Sequence, residues 1–192
     1  MTTAVSSPVS LALRVALIVF AVGALSACGD RSADSETRQY KFEPVSAASL
    51  EVGDVVPAPT GVAVLTVGDG LSGGVVFDLA TLERAGMVAG ELFEPFEKKR
   101  VTFTGVELKH VLAVAGVPAG TDLHLVALDE YAVDLTAADV EAGGILLATS
   151  VDGKPIPIAN GGPIRVVFLD DVELGKTTDL WIWSLARIEF TL

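Results

Sequence analysis

The segment GILLATSVDGKPIPIANGGPIRVVF, residues 144–168, decides the fold of this chain. Ile145–Thr149 is an apolar run of strand length, and Asp152–Gly153 is a dipeptide that tolerates the positive φ angles of a two-residue hairpin turn. Pro155 and Pro157 lack a backbone N–H, which predicts an extended arm and not a central strand. The first half of the segment therefore predicts a strand, a tight turn and a proline-rich edge.

The second half predicts a glycine loop followed by another strand. Asn160–Pro163 is a cluster of turn residues, and Ile164–Phe168 alternates apolar residues with Arg165 and Val167, as in a strand with one buried face. A glycine loop that ends in an arginine can cradle an anion, because backbone N–H groups approach closely and the guanidinium forks onto phosphate. It is also a common connection between two strands, and the residues alone favour that interpretation.

Composition indicates one strand-rich domain. An apolar content of 51% in 192 residues excludes a disordered chain, and nineteen Gly with nine Pro favour short strands and turns over long helices. The formal net charge of −12 excludes a nucleic-acid-binding role, because phosphate backbones would be repelled. A single cysteine allows neither an intramolecular disulfide nor a multi-cysteine metal site.

The N-terminus predicts a lipid anchor. Val15–Leu25 is a continuous apolar core, shorter than the roughly 20 residues that a helix needs to cross a bilayer, and it suits a signal peptide. It ends in Leu25-Ser26-Ala27-Cys28, which resembles the bacterial lipobox. The resemblance implies cleavage before Cys28 and acyl chains, such as palmitate, on the new N-terminus. An ordinary secretory peptide with an incidental cysteine is the alternative, and the position of Cys28 disfavours it.

Three regions are therefore expected. Residues 1–27 form a lipoprotein signal peptide, residues 28–52 a flexible tether rich in Ser, Ala and charge, and residues 53–192 the globular domain. Such a protein is held at a membrane through lipid on Cys28 and faces the periplasm or the exterior of the cell.

Short helices and strands are predicted for the globular domain. The helices are expected at Leu79–Arg84, Glu107–Ala115 and Ala137–Glu141, with Asp78 and Thr136 as N-cap residues. The expected strands include Gly61–Val67, Gly74–Asp78, Leu123–Leu128 and Leu180–Phe190.

Three side-chain placements also follow from the patterns. Trp181 and Trp183 are expected on one side of the final strand. His110 lies off the apolar face of its helix and is expected to be exposed. Lys98–Arg100 is the only basic cluster in the acidic domain, and it is interpreted as a solvated turn.

Three segments in this order resemble a known domain. They are FTGVELKHVLAVAGV (103–117), ALDEYAVDLTAADVEAGGILLATSVDGKPIPIANGGPIRVVF (127–168) and LWIWSLARIEF (180–190). Their order is similar to that in the molybdopterin-binding domain of the sulfite oxidase family, especially its small stand-alone members. The resemblance covers the chain from about Val75 to the end. It implies an α+β fold, a strand-rich mixed-sheet domain with short helices.

The resemblance also implies a cofactor loop. Asn160 stands where the family has a histidine, and Ile182 stands where it has a lysine before Trp183. Both family residues hold the phosphate of the pterin. The residues implied as a pterin-phosphate loop are Asn160, Gly161, Gly162 and Arg165.

One departure concerns the metal. Family enzymes bind molybdenum through a cysteine thiolate ahead of the helix that starts near Glu107, but Glu91–Thr104 contains no cysteine. Neither Asn nor His is an equivalent replacement for a soft thiolate at an oxo-molybdenum centre. Molybdopterin is thus implied by the resemblance, molybdenum is disfavoured, and no catalytic or metal-binding residue is assigned.

These observations favour a lipid-anchored module that binds a ligand or partner and has no molybdenum chemistry of its own, and they lean against an enzyme without deciding the question. Its expected site is a mouth between Asn160–Arg165 and Lys98–Arg100, suited to a small anionic ligand or a redox partner in the envelope. One alternative is a molybdopterin-dependent oxidoreductase with altered ligation. A structural or interaction lipoprotein, in which the glycine loop is only a connector, is the other.

Overall fold

The computed structural model describes residues 41–70 and 73–191. The predicted signal peptide and Cys28 lie outside the described residues. Within the part that is described, no helix is long and apolar enough to cross a membrane.

Short strands dominate the described residues, as the glycine and proline content predicts. The helices are α1 (Leu79–Glu83), α2 (Leu108–Val114) and α3 (Ala137–Ala142). The strands are β1 (Glu43–Pro44), β2 (Ala63–Gly68), β3 (Gly74–Asp78), β4 (Val88–Glu94), β5 (Lys99–Glu107), β6 (Leu123–Ala127), β7 (Ala132–Leu135), β8 (Ile145–Val151), β9 (Lys154–Pro155), β10 (Arg165–Phe168) and β11 (Leu185–Phe190).

The strands form two sheets around one apolar core. The first sheet has the order β1-β4-β5-β8-β10, with β9 paired to β8, and the second has the order β3-β2-β11-β6-β7. Neighbouring strands run antiparallel, except that β11 is parallel to β2. The predicted α+β fold of mixed sheets with short helices is confirmed.

The predicted helix caps are present. The carboxylate of Asp78 accepts the N–H of Thr81 at 2.8 Å, which starts α1, and Thr136 with Asp139 forms a complete capping box at α3. Hydrogen bonds from the backbone N–H of Gly61 and from Thr81 hold the pKa of Asp78 far below its ordinary value.

The opening segment forms the predicted hairpin. Asp152 and Gly153 have φ angles of 47° and 71° and connect β8 to β9, so both adopt the left-handed conformation that the sequence predicts. Pro155 ends the short edge strand β9, where no ladder N–H is needed.

The prediction of one exposed face for the strand after the glycine loop is wrong. Arg165 and Val167 are buried together with the apolar residues around them. The Arg165 guanidinium lies against the Trp183 and Phe103 rings, and the segment 181–185 pairs with the outer edge of β10. The N–H of Val166 donates to the Ile182 carbonyl, and the N–H of Leu185 donates to the Ile164 carbonyl.

Part of the predicted tether is packed against the folded body. Glu43–Pro44 pairs with β4, and the Leu50 side chain is fully buried. The N–H groups of Ser49 and Leu50 both donate to the Arg84 carbonyl at the end of α1. The packed body therefore begins before residue 53, because a short apolar anchor lies within a polar stretch.

Two further side-chain predictions are corrected. Trp181 and Trp183 precede β11 and do not share a side, since Trp181 is buried and donates its indole N–H to the Gly175 carbonyl while Trp183 is exposed. His110 is partly buried, and its Nε2 atom has no hydrogen-bond partner among the described residues. Periodicity missed both, because the covering segments come from elsewhere in the chain.

Candidate functional site

The glycine loop is filled by the protein's own atoms. Ile158–Asn160 is a single 3-10 turn, and Gly161 follows it with a φ of 81°. A Cβ atom on Gly161 would lie 2.7 Å from the Trp183 ring, and one on Gly162 would lie 1.8 Å from the Ile156 carbonyl oxygen. Glycine is required at both positions because a side chain and a backbone segment already occupy the space that a Cβ atom would need.

The loop's arginine is committed to a buried ion pair. Nη2 of Arg165 lies 2.8 Å from Oε1 of Glu94, and the two side chains are 7% and 2% exposed. The guanidinium carbon also lies 4.6 Å from the Trp183 ring centre and 5.5 Å from that of Phe103. Its Nε atom is buried without a partner among the described residues. The positive charge of Arg165 is thus balanced inside the domain.

Glu94 is the functional candidate that sequence reasoning missed. It ends β4 on the same inward face as Leu92, and its second carboxylate oxygen accepts the N–H of Glu97 in the following turn. The sequence did contain a signal for Glu94. A carboxylate on the apolar side of an extended segment is expected to be buried, and a buried carboxylate requires a partner. The sequence does not say which residue that partner is, since Arg165 lies 71 positions away.

The basic cluster Lys98–Arg100 is also engaged. Arg100 donates to Glu91 at 2.8 Å and to Asp170 at 2.6 Å, and the hydrogen bond to Asp170 is the main cause that raises the pKa of Arg100. Lys99 pairs with Glu97, which raises the pKa of the Lys99 ammonium. Two of the three cations are thus balanced by neighbouring carboxylates, so the predicted mouth does not concentrate positive charge.

The four residues of the predicted pterin-phosphate loop do not converge on one point. Asn160 is exposed at the end of the 3-10 turn, Gly161 and Gly162 are packed, and Arg165 faces the interior. A pterin phosphate needs uncommitted N–H donors and positive charge at one place. These residues do not fit a pterin phosphate, because they present no donors at one place and the charge of Arg165 is already balanced by Glu94.

A small pocket opens beside Trp183. Its volume is about 330 Å³. Phe96 packs edge-on against Trp183, with ring centres 5.5 Å apart and an interplanar angle of 78°. The Tyr131 hydroxyl donates to the Asp179 carbonyl at 2.8 Å, which fixes the third ring. The residues that line this pocket, called the aromatic pocket below, are Phe96, Asp129, Tyr131, Thr178, Asp179, Trp181 and Trp183.

Two backbone hydrogen bonds join this pocket to the glycine loop. The Ser184 N–H donates to the Gly161 carbonyl, and the Leu128 N–H donates to the Ser184 carbonyl. Residues 181–185 thereby connect β10 of the first sheet with β6 of the second. The pocket and the buried ion pair share Trp183. In residues 41–70 and 73–191 the structure places no three His, Cys, Asp or Glu side chains together as a metal site.

Comparisons with known proteins agree with the fold. The family model described as oxidoreductase molybdopterin binding domain matches residues 80–186. The crystal structure of the sulfane dehydrogenase SoxCD from Paracoccus pantotrophus matches with a TM-score of 0.50 and 19% sequence identity, over 66% of this chain and 37% of that chain. The chain thus spans little more than a third of that structure. No match was found among curated proteins. The resemblance predicted from the three segments is confirmed, and the chain belongs to the oxidoreductase molybdopterin binding domain family.

Proposed function

We propose that this chain is a lipid-anchored cell-envelope protein whose molybdopterin-binding-type domain binds a ligand or a partner without molybdenum chemistry of its own. The observation that carries the proposal is the buried pair between Glu94 and Arg165. Its arginine is the residue that the family resemblance assigns to the pterin phosphate, and here it neutralises an internal carboxylate.

The energetics of the pair support a non-cofactor role. Removing one partner of a buried ion pair typically costs about 3–5 kcal/mol, because the other charge is left without compensation. A phosphate that drew the Arg165 guanidinium away from Glu94 would leave that carboxylate buried and unpaired, and its binding would have to recover that cost. The chain also lacks the soft ligand, since its single cysteine, Cys28, precedes the matched region 80–186.

The anchoring part of the proposal depends on Cys28. It follows an apolar core and the small residues Ser26 and Ala27, the arrangement that a lipoprotein signal peptidase requires. More than one acyl chain holds a protein on a bilayer essentially permanently. Both chains are expressed in a bacterial host that is fed a labelled fatty acid. We expect the wild-type chain in the membrane fraction with the label attached, and the Cys28→Ala chain without it. Equal acylation of the two chains would contradict the anchor.

The functional part is tested by cofactor content. The full-length chain is purified from a host that synthesises molybdopterin, and molybdenum and pterin are measured per chain, with a known family enzyme prepared in parallel. We expect background levels for this chain and full loading for the enzyme. Stoichiometric molybdenum would overturn the proposal and would support an oxidoreductase with altered ligation, which family membership keeps as the second candidate.

A further inference from the structure

We propose that the aromatic pocket binds a small organic cation of the alkylammonium class. The inference deepens the proposed function, since it names a ligand class for the binding module. It rests on four features: three exposed aromatic rings, two carboxylates, a neutralised arginine behind one ring, and the pocket's size.

The first feature is the convergence of half-exposed aromatic side chains. Phe96, Tyr131 and Trp183 are 48%, 46% and 42% exposed, and all three line one pocket. Single exposed aromatic residues are common, but three around one concavity indicate a binding surface. Aromatic rings attract cations through their quadrupoles, with Trp the strongest, and aromatic cages recognise quaternary ammonium groups in this way.

The rings are already held in place. Phe96 and Trp183 contact each other nearly at right angles, so they form two adjoining walls. Tyr131 is fixed by its hydroxyl bond to the Asp179 carbonyl. A ligand therefore does not have to order these side chains, which lowers the entropic cost of binding.

The second feature is charge. Asp129 and Asp179 line the pocket, and none of its lining residues in the described parts of the chain is Lys or Arg. Oδ1 of Asp129 accepts the Tyr131 N–H at 3.1 Å, so this carboxylate lies at the base of the Tyr131 ring. The net charge of −12 adds a field that attracts cations and repels anions. The pocket is therefore suited to a cation and not to the small anion that the sequence suggests.

The third feature is the buried ion pair. The Arg165 guanidinium lies 4.6 Å from the Trp183 ring centre, and an unbalanced positive charge there would repel a second cation at this ring. Glu94 balances that charge at 2.8 Å. The electrostatic capacity of Trp183 to hold a ligand cation thus depends on Glu94.

The fourth feature is size. A volume of about 330 Å³ is at the lower limit of small-molecule pockets, which span roughly 300–1,000 Å³. A compact head group such as choline or tetramethylammonium fits this space, whereas a larger aromatic cation would extend into solvent.

Tryptophan fluorescence provides the test. The chain has two tryptophans, both lining the pocket, so intrinsic emission reports on it directly. Full-length protein in a maltoside detergent is titrated with choline chloride at constant ionic strength. A parallel titration uses 3,3-dimethylbutan-1-ol, the uncharged carbon isostere of choline. We expect saturable binding of choline and roughly tenfold weaker binding of the isostere. Equal binding of the two, or no saturation by choline, would overturn the inference.

Matched variants locate the site. Phe96→Leu keeps an apolar side chain but removes a ring, and is expected to weaken choline binding by roughly fivefold. Phe93→Leu is the control, because Phe93 is 46% exposed on β4, the strand that leads into the turn of Phe96, but does not line the aromatic pocket. Asp129→Asn with Asp179→Asn should weaken binding about threefold at low salt and less at high salt. Unchanged affinity in Phe96→Leu would place the ligand elsewhere and overturn the assignment.

Free alkylammonium ions and lipid head groups share this chemistry, so phosphocholine is titrated as well. The two carboxylates predict weaker binding of phosphocholine than of choline, and tighter binding would overturn the assignment to a free cation. Molybdenum is measured in the same preparation. A preparation that contains no molybdenum and does not bind choline contradicts only this inference. Stoichiometric molybdenum contradicts the proposed function.

Discussion

Trp183 is common to two regions of this domain that use the same kinds of side chain differently. On one side, the Glu94–Arg165 pair lies inside the domain, with the two side chains 2% and 7% exposed. On the other, the aromatic pocket is open and combines rings with the carboxylates of Asp129 and Asp179. A carboxylate in the first region neutralises an internal charge, whereas the two aspartates of the second line an open pocket.

The contrast shows that a residue at a family position can be engaged by side chains within the fold. Arg165 stands where the family resemblance places a phosphate ligand, but a buried glutamate from β4 now balances it. The aromatic pocket remains open, and aromatic and acidic side chains line it. Substitutions on the two sides of Trp183 test how far the two regions differ.

The buried pair should be far more sensitive to substitution than an exposed one on the same strand. Glu94→Gln leaves the Arg165 charge buried without compensation, and we expect a loss of about 3–5 kcal/mol in the free energy of unfolding, measured with urea. Glu91→Gln is the control, because Glu91 is mostly exposed in its pair with Arg100 and should cost less than about 1 kcal/mol. Similar losses for the two variants would contradict the distinction.

The contact between the glycine loop and Trp183 gives the second prediction. Gly161→Ala combines a φ of 81° with a Cβ atom 2.7 Å from the Trp183 ring, and should destabilise the fold by about 2–4 kcal/mol. Gly153→Ala has a similar φ of 71° and nothing within 4 Å of the added atom, so it should show the backbone strain alone, about 1 kcal/mol. Equal losses of stability in the two variants, measured by thermal or urea unfolding, would show that the Trp183 ring moves away from the added Cβ atom at no cost.

We expect a smaller effect at acidic pH. It comes from the carboxylate of Asp78, which belongs to neither the buried ion pair nor the aromatic pocket. The folded-state pKa of Asp78 lies below its ordinary value of 3.8, chiefly through the Gly61 N–H, so the unfolded chain binds the proton more tightly. The stability from Asp78 is thus fully present above pH 3.8 and is lost as the pH falls through the folded-state pKa. Unfolding in urea from about pH 5 to about pH 2 should show a shallower acid dependence in Asp78→Asn than in wild type. An identical dependence would contradict this assignment.

Local chemistry in the sequence was sufficient for much of the fold. The turn at Asp152–Gly153 and the caps at Asp78 and Thr136 depend on residues within four positions of one another, and the structure contains all three. The order of the three segments was sufficient for the family, because each is a short supersecondary unit with its own turn or helix pattern.

Long-range contacts account for what sequence reasoning missed. The Arg165 side chain packs against the Trp183 ring from a later segment, and its partner Glu94 is 71 positions away. The aromatic pocket draws its rings from the β4–β5 turn, the β6–β7 turn and the segment before β11, so no single window of sequence contains it. Periodicity reports which face of an element is apolar, but not which distant element covers it.

The commitment of Arg165 to Glu94 is tested most directly by a double-mutant cycle. Free energies of unfolding are measured for Glu94→Met, Arg165→Met and the double variant, whose methionines approximate the volumes of the replaced side chains. We expect a large loss in the free energy of unfolding for each single variant and a substantial recovery in the double variant. The coupling energy should be at least about 2 kcal/mol. Additive losses, or an Arg165→Met variant as stable as wild type, would contradict it.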